Sequence, residues 1–236
     1  MNTPTNKHSM FGIMPPPTSD DALVRWLIRD YPVVVDQSSP SKMYHVLMEL
    51  YRVVNENVPG HVVELGCFEG GTTMMLRRLL DKLRQKDREL HVYDSWEGVP
   101  TPAPQDATAP GVAPFEKGYC STQRKVFENN FERADLRKPK IHSGWFSEIA
   151  DKEYPSPIAF ALFDGDMYSS IIDSFHKVYG KLSRGARVVI DDYEWERLPG
   201  VKQACADFLR DKPERETALP NYYGQGLSGG ALLVKL

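Results

Sequence analysis

Residues 62–73 read VVELGCFEGGTT: an apolar run, a turn carrying three glycines, and two threonines that open the next segment. Val62, Val63 and Leu65 suit a buried strand, and Gly66 breaks it. Met75, Leu76, Leu79, Leu80 and Leu83 then recur at helical spacing, so the unit is strand, glycine turn, helix. The alternation continues downstream. ELHVYDSW (89–96), KPKIHSGWF (138–146), IAFALF (158–163) and ARVVIDDY (186–193) read as four further strands. Helices are expected at about 121–134, along Tyr168, Ile171, Ile172, Phe175 and Val178, and along Val201, Ala204, Cys205 and Phe208. The tail NYYGQGLSGGALLVKL (221–236) reads as two strands joined through a glycine-rich turn.

Such alternation argues for an α/β fold: a mainly parallel sheet with helices on both faces and a C-terminal antiparallel hairpin. No internal repeat or second domain is legible, and residues 41–236 are read as one domain. Ahead of it, residues 1–40 form an arm and a short helix. Pro15–Pro17 mark residues 1–18 as the arm, disordered or closing over a site or a neighbouring subunit. Ser19 or Asp20 is expected to cap a helix with Leu23, Trp26 and Leu27, and a second helix follows Pro40. GVPTPAPQDATAPGVAPF (98–115) lacks a core-forming pattern, and either residues 1–18 or the loop 99–115 is expected to order when ligands bind.

Apolar residues at 41% suffice for one substantial core, and the net charge of −3 offers no basic footprint for nucleic acid or an anionic membrane. Cys67, Cys120 and Cys205 are odd in number and contain no CxxC, which fits a reducing compartment better than a disulfide or zinc scaffold. The N-terminus shows no signal-peptide pattern, and no apolar run approaches the ~20 residues of a membrane span. A cytoplasmic protein is expected.

Chemistry gathers at the strand ends, where open α/β sheets bind ligands. Glu64 precedes a glycine turn that departs from the dinucleotide fingerprint, and an acid there suits a cationic or hydroxyl-rich ligand. The second strand ends in Tyr93-Asp94-Ser95, an acid where nucleotide-binding sheets hold ribose hydroxyls. The fourth strand runs into Asp164-Gly165-Asp166, and 27 residues after Asp164 the fifth runs into Asp191-Asp192. A DD pair can cap a helix and a DGD can be a turn. Four anions delivered to neighbouring strand ends nevertheless need a cation.

VVELGCFEGGTT, VYDSWEGVP, IHSGWFSEI and FDGDMYSSIIDSFHKVYGKLSRGARVVIDDY, in register across about residues 41–210, resemble the macrocin O-methyltransferase family. The resemblance implies a Rossmann-like class I methyltransferase using S-adenosylmethionine and Mg²⁺ on sugar hydroxyls of natural products, as a homo-oligomer. It implies Asp164, Asp191 and Asp192 as metal ligands and Asp166 as general base. It also implies Glu64, Gly66 and Gly70 as cofactor-loop positions and Asp94, with Ser95 beside it, as a ribose contact. Ser143, Gly144 and Trp145 would flank the adenine, and Asp164 would border the cofactor.

Oxygen donors in a cluster suit Mg²⁺, and no Cys/His set competes, since His142 and His176 look isolated. A diol acceptor fits this reading. A catechol-type acceptor is the alternative within the class, and a non-catalytic adenosine-ligand or metal-binding module is the alternative outside it. Asp166, which mere binding would not need, argues against the latter. An iron-dependent hydroxylase lacks its two histidines and carboxylate. The segment RQKDRE (84–89) reads as exposed surface.

Overall fold

The computed structural model describes residues 18, 20–31, 39–220 and 229–236. Two helices lead in, α1 (Ala22–Asp30) and α2 (Pro40–Asn55). Strands and helices then alternate as β1 (His61–Leu65), α3 (Gly71–Lys82), β2 (Leu90–Asp94), α4 (Arg124–Arg133) and β3 (Lys140–Ser143). After them come β4 (Ile158–Phe163), α5 (Tyr168–Val178), β5 (Leu182–Ile190), α6 (Pro199–Leu209), β6 (Thr217–Ala218) and β7 (Ala231–Val234).

The strand order is β3-β2-β1-β4-β5-β7-β6, with β1 to β5 parallel and β7 antiparallel to both β5 and β6. The expected parallel sheet with a C-terminal antiparallel hairpin is therefore the fold. The first strand of that hairpin lies at Thr217–Ala218, upstream of the tail segment expected to supply it. Residues 221–228 of that segment lie outside the described residues.

All six residues of β4 are buried, because helices cover both faces of the sheet. Val63, Leu65, Phe163 and Ile190 point to one face and pack with α5 and α6. Val62, Leu162 and Val189 point to the other and pack with α1, α2 and α3. Val24, Leu27 and Ile28 of α1 are buried in that second cluster. None of the helices among the described residues is long and apolar enough to cross a membrane.

Three local expectations change. The N-cap position of α1 is Asp21, whose buried carboxylate accepts from Arg25 Nε (2.8 Å) and Tyr44 Oη (2.9 Å) and so ties α1 to α2. Ser19 lies outside the described residues, as do residues 1–17 of the arm. The segment 84–89 is more than surface: Arg88 Nη2 donates to Val58 O (2.9 Å), and Glu89 pairs with Lys140 (2.8 Å). Nor is His142 isolated. Its ring stacks on Tyr93 at 4.7 Å between centroids and on His91 at 5.3 Å, and Tyr154 stacks on Tyr93 at 4.2 Å.

His91 sits at the end of that stack, 5% exposed, with its ring nitrogens 3.1 Å from His142 Nε2 and 3.2 Å from Glu89 Oε2. Burial pushes its imidazole down to about 4, against the pull of Glu89. The folded protein thus keeps His91 neutral where the unfolded chain, near 6.5, takes up a proton. Its contribution to stability is complete above about pH 6.5 and is lost as pH falls towards 4, by up to ~3 kcal/mol. His91→Phe keeps a ring but not the titration, so urea unfolding of this variant should show a shallower loss between pH 7 and 4 than wild type. Parallel profiles would show that His91 does not carry the effect.

Candidate active site

The sheet reverses its winding direction between β1 and β4, and the backbone there stays zipped beyond the strand ends. Gly66 N donates to Tyr93 O (2.9 Å), Asp164 N to Leu65 O (2.8 Å), Asp191 N to Phe163 O (2.9 Å) and Gly144 N to Asp94 O (2.9 Å). These bonds bring Gly144, Asp94, Gly66, Asp164 and Asp191 to one edge of the sheet. Parallel pairing makes this inevitable, since carboxyl ends of parallel strands share a side.

A cavity of about 790 Å³ opens along this edge, within the usual ~300–1,000 Å³ of small-molecule sites. Of the residues singled out from the sequence, Glu64, Gly66, Asp94, Ser95 and Trp145 line it. Asp164, Asp166 and Asp192 line it as well. Gly70, Ser143, Gly144 and Asp191 are not among its lining residues. Gly70 instead lets the start of α3 press on Phe127, where a Cβ would lie 2.8 Å from the ring. Ser143 Oγ accepts from the indole Nε1 of Trp96 at 3.0 Å.

Asp94 organises the glycine turn. Its Oδ2 accepts from Cys67 N and Phe68 N at 2.9 Å each, and its Oδ1 accepts from Trp96 N at 2.7 Å. A carboxylate offers about four acceptor positions. Three are taken by the backbone, and Asp94 itself lines the cavity. Glu64 is 1% exposed, receives the Thr73 hydroxyl at 2.5 Å, and is pushed up to about 8 by burial. At neutral pH it is therefore mostly a neutral carboxylic acid.

Gly66 couples this turn to the acids. At φ +90°, a Cβ there would sit 1.9 Å from the carbonyl oxygen of Asp164. The two backbones touch, and only glycine fits between them.

Asp164, Asp166 and Asp192 each offer a carboxylate oxygen within 4.8 Å of the others. Asp166 and Asp192 achieve this with left-handed backbone, at φ +63° and +53°. Asp191 stands beside the cluster, 5% exposed, in contact with the Lys42 ammonium, which is also 3.4 Å from Asp164 Oδ2. Burial works to lower the Lys42 pKa, but Asp164, Asp191 and Asp192 more than reverse it, so the ammonium stays charged. Burial also raises Asp164 well above the usual carboxylate range and pushes Asp166 up to about 6, with Lys42 opposing both. All-oxygen donors at this separation suit a small hard cation, with bonds of ~2.0–2.6 Å. The residues fit Mg²⁺ or a relative.

Two contributors escape a reading of the sequence. Lys42 sits in the first turn of α2, where Ser39 caps its backbone N–H at 3.1 Å, and no local pattern distinguishes it from a surface lysine. Asp106 lies in the proline-rich 98–115 loop. Its Oδ1 accepts from Tyr168 N and its Oδ2 from Ala103 N, both at 2.8 Å. The N-cap residue of α5 is Met167, which has no acceptor, so a distant carboxylate caps the helix that follows the DGD turn. An uncapped helix start in the sequence is the signal that could have pointed to it. This anchor gives the loop a structural task that its composition conceals.

Residues 7–218 match the profile described as Macrocin-O-methyltransferase (TylF). The chain belongs to the macrocin O-methyltransferase family. A relative from Streptomyces niveus, demethyldecarbamoylnovobiocin O-methyltransferase, is 31% identical over 165 residues, 66% of this chain and 60% of that protein. The chain thus spans less than two thirds of this relative. Another from Streptomyces olivaceus, 8-demethyl-8-(2,3-dimethoxy-alpha-L-rhamnosyl)-tetracenomycin-C 4'-O-methyltransferase, is 30% identical over 81% of this chain and 72% of its own. The solved structure of the O-methyltransferase NovP superposes with a TM-score of 0.67 at 23% identity, covering 84% of this chain and 80% of that one. The macrocin methyltransferase family member thus has the Rossmann-like class I methyltransferase sheet.

Proposed function

We propose that the protein transfers the methyl group of S-adenosylmethionine to a hydroxyl of a sugar-bearing small molecule, and that Mg²⁺ is needed. The observation that carries this is the convergence, in one cavity, of the Asp94-braced glycine turn and the carboxylates around Lys42. Asp164, Asp191 and Asp192 would hold the ion. When bound, such an ion supplies positive charge that offsets the carboxylates and favours the ionised form of an adjacent hydroxyl.

The chain's own residues do the rest. Asp94, at the cavity wall, suits a ribose hydroxyl, and Gly66 lets the cofactor approach the backbone. Ser95 and Trp145 add polar and aromatic lining beside it. Asp166, whose carboxylate lies within 4.8 Å of those of Asp164 and Asp192, would take the proton that the acceptor hydroxyl loses. The methyl group of a sulfonium is already activated, so most of the remaining rate comes from holding the two substrates in line.

S-Adenosylhomocysteine should bind with a micromolar Kd by calorimetry. Turnover of labelled cofactor with a panel of glycosides should vanish on exhaustive chelation and return with Mg²⁺. No heat with either cofactor form would sink the cofactor assignment. Full turnover after chelation would make the carboxylates structural or directly catalytic.

A further inference from the structure

One lysine stands among the acids of the cavity. Lys42 is the only lysine or arginine among its described lining residues, which include Asp164, Asp166 and Asp192. Its ammonium bridges two strand ends, lying 3.4 Å from Asp164 Oδ2 and in contact with Asp191 Oδ2. These are two of the three carboxylates read above as ligands of an ion. Asp191 Oδ2 is buried and receives no hydrogen bond of ordinary geometry, so the ammonium meets it as a counter-charge. The carboxylates with oxygens within 4.8 Å of one another are Asp164, Asp166 and Asp192. Asp191, which the ligand set also needs, is the one that Lys42 engages.

The helix that carries Lys42 cannot take the ammonium away. Met43, Val46 and Leu47 of α2 are exposed by 1% or less, and Ser39 Oγ accepts from the Lys42 backbone N–H at 3.1 Å. Only the side chain is free to move, and lysine sets a compact charge on a flexible four-carbon stem. Lys42 also borders a second cavity of about 20 Å³, together with His45, Asp191 and Leu219. That is room for roughly one water beside the stem. A hard dication needs its carboxylate oxygens at ~2.0–2.6 Å. An ammonium left on the same oxygens would stand at close range to a like charge, a costly pairing inside a protein. The oxygens hold one cation or the other.

Resting on the reading of Asp164, Asp191 and Asp192 as ligands, we infer that Lys42 is a built-in competitor of the metal ion. Without an ion it pairs with the acids and holds Asp191. When an ion is taken up, its side chain swings off both carboxylates. The affinity of the site is then set by how often Lys42 leaves it. Ligands that their own lysine covers for about nine-tenths of the time bind an ion roughly ten-fold more weakly than they would without it.

The test measures Mn²⁺ binding to the full chain by electron paramagnetic resonance and calorimetry, for wild type, Lys42→Met and Lys42→Arg. Methionine keeps an unbranched stem and removes the charge, whereas arginine keeps the charge. Lys42→Met should bind Mn²⁺ about ten-fold or more tightly than wild type, and Lys42→Arg no more tightly than wild type. The rise in Tm at one saturating Mn²⁺ concentration should be larger in Lys42→Met by about 3–6 °C, which is that ten-fold difference in a chain of this size. If Lys42→Met does not fold, wild type gives the answer alone. Acetylation of Lys42 by an amine-reactive ester, followed by mass spectrometry, should speed up when Mg²⁺ is added. The inference is overturned if Lys42→Met binds Mn²⁺ no more tightly than wild type. It is equally overturned if Lys42→Arg gains as much as Lys42→Met, which would point to volume rather than charge, or if Lys42 acetylation is unchanged in wild type that has bound the ion. Failure of the ligand reading looks different: wild type and both variants then bind no Mn²⁺ at all, and the inference falls with that reading.

Discussion

Asp166→Asn is expected to lower turnover by ~10²–10⁴-fold, the usual contribution of a positioned base, while S-adenosylhomocysteine affinity stays within a few-fold. Asparagine keeps the shape and can accept a hydrogen bond but cannot take a proton at neutral pH. The geometry makes this experiment informative beyond its size. Asp166 offers an oxygen within 4.8 Å of those from Asp164 and Asp192, so it stands where a ligand could stand, while Asp191 contacts Lys42. A Mn²⁺ titration separates the roles. Metal affinity retained in Asp166→Asn and lost in Asp191→Asn supports Asp166 as the base. The reverse pattern makes Asp166 a ligand and leaves Asp191 as the partner of Lys42. Near-full turnover in Asp166→Asn would mean that another group takes the proton.

Gly66→Ala should destabilise the protein by about 3–5 kcal/mol in urea unfolding, and the folded remainder should bind S-adenosylhomocysteine poorly. The added methyl meets the Asp164 carbonyl oxygen at 1.9 Å, and that oxygen belongs to a backbone pinned by its own bond from Asp164 N to Leu65 O. Neither partner can yield without parting β1 from β4 at the site. Gly111→Ala is the matched control. Its φ is +88°, yet nothing lies within 4 Å of the added Cβ, so only the left-handed strain of ~1–2 kcal/mol remains. Equal losses at both positions would show that backbone strain, not the contact with Asp164, governs Gly66.

Much of the architecture was legible because the relevant signals are local. Val62, Val63 and Leu65 before Gly66, and the six-residue apolar run ending at Phe163, announce buried parallel strands by composition alone. The same strand ends carry Asp94, Asp164 and Asp166, so one periodicity located both the fold and the acids. Less legible were the ends of weakly patterned elements. The two-residue strand Thr217–Ala218 is too short for any period to show, and the Asp21 cap is defined by Arg25 and by Tyr44, 23 residues away.

The order of apolar and glycine residues along the chain determined by itself that strands alternate with helices, and that acids would gather where the strands end. Those are consequences of side-chain period and of parallel pairing, and they need no knowledge of distant contacts. Tertiary structure alone decided which groups meet across long separations. Lys42 reaches Asp164 from 122 residues away, Asp106 caps a helix 62 residues later, and Asp94 binds the turn at Cys67 and Phe68. Each is a polar group taken out of water that must find a partner wherever the fold brings one. No sequence period encodes such a partner, because the need arises only once the sheet has closed around it.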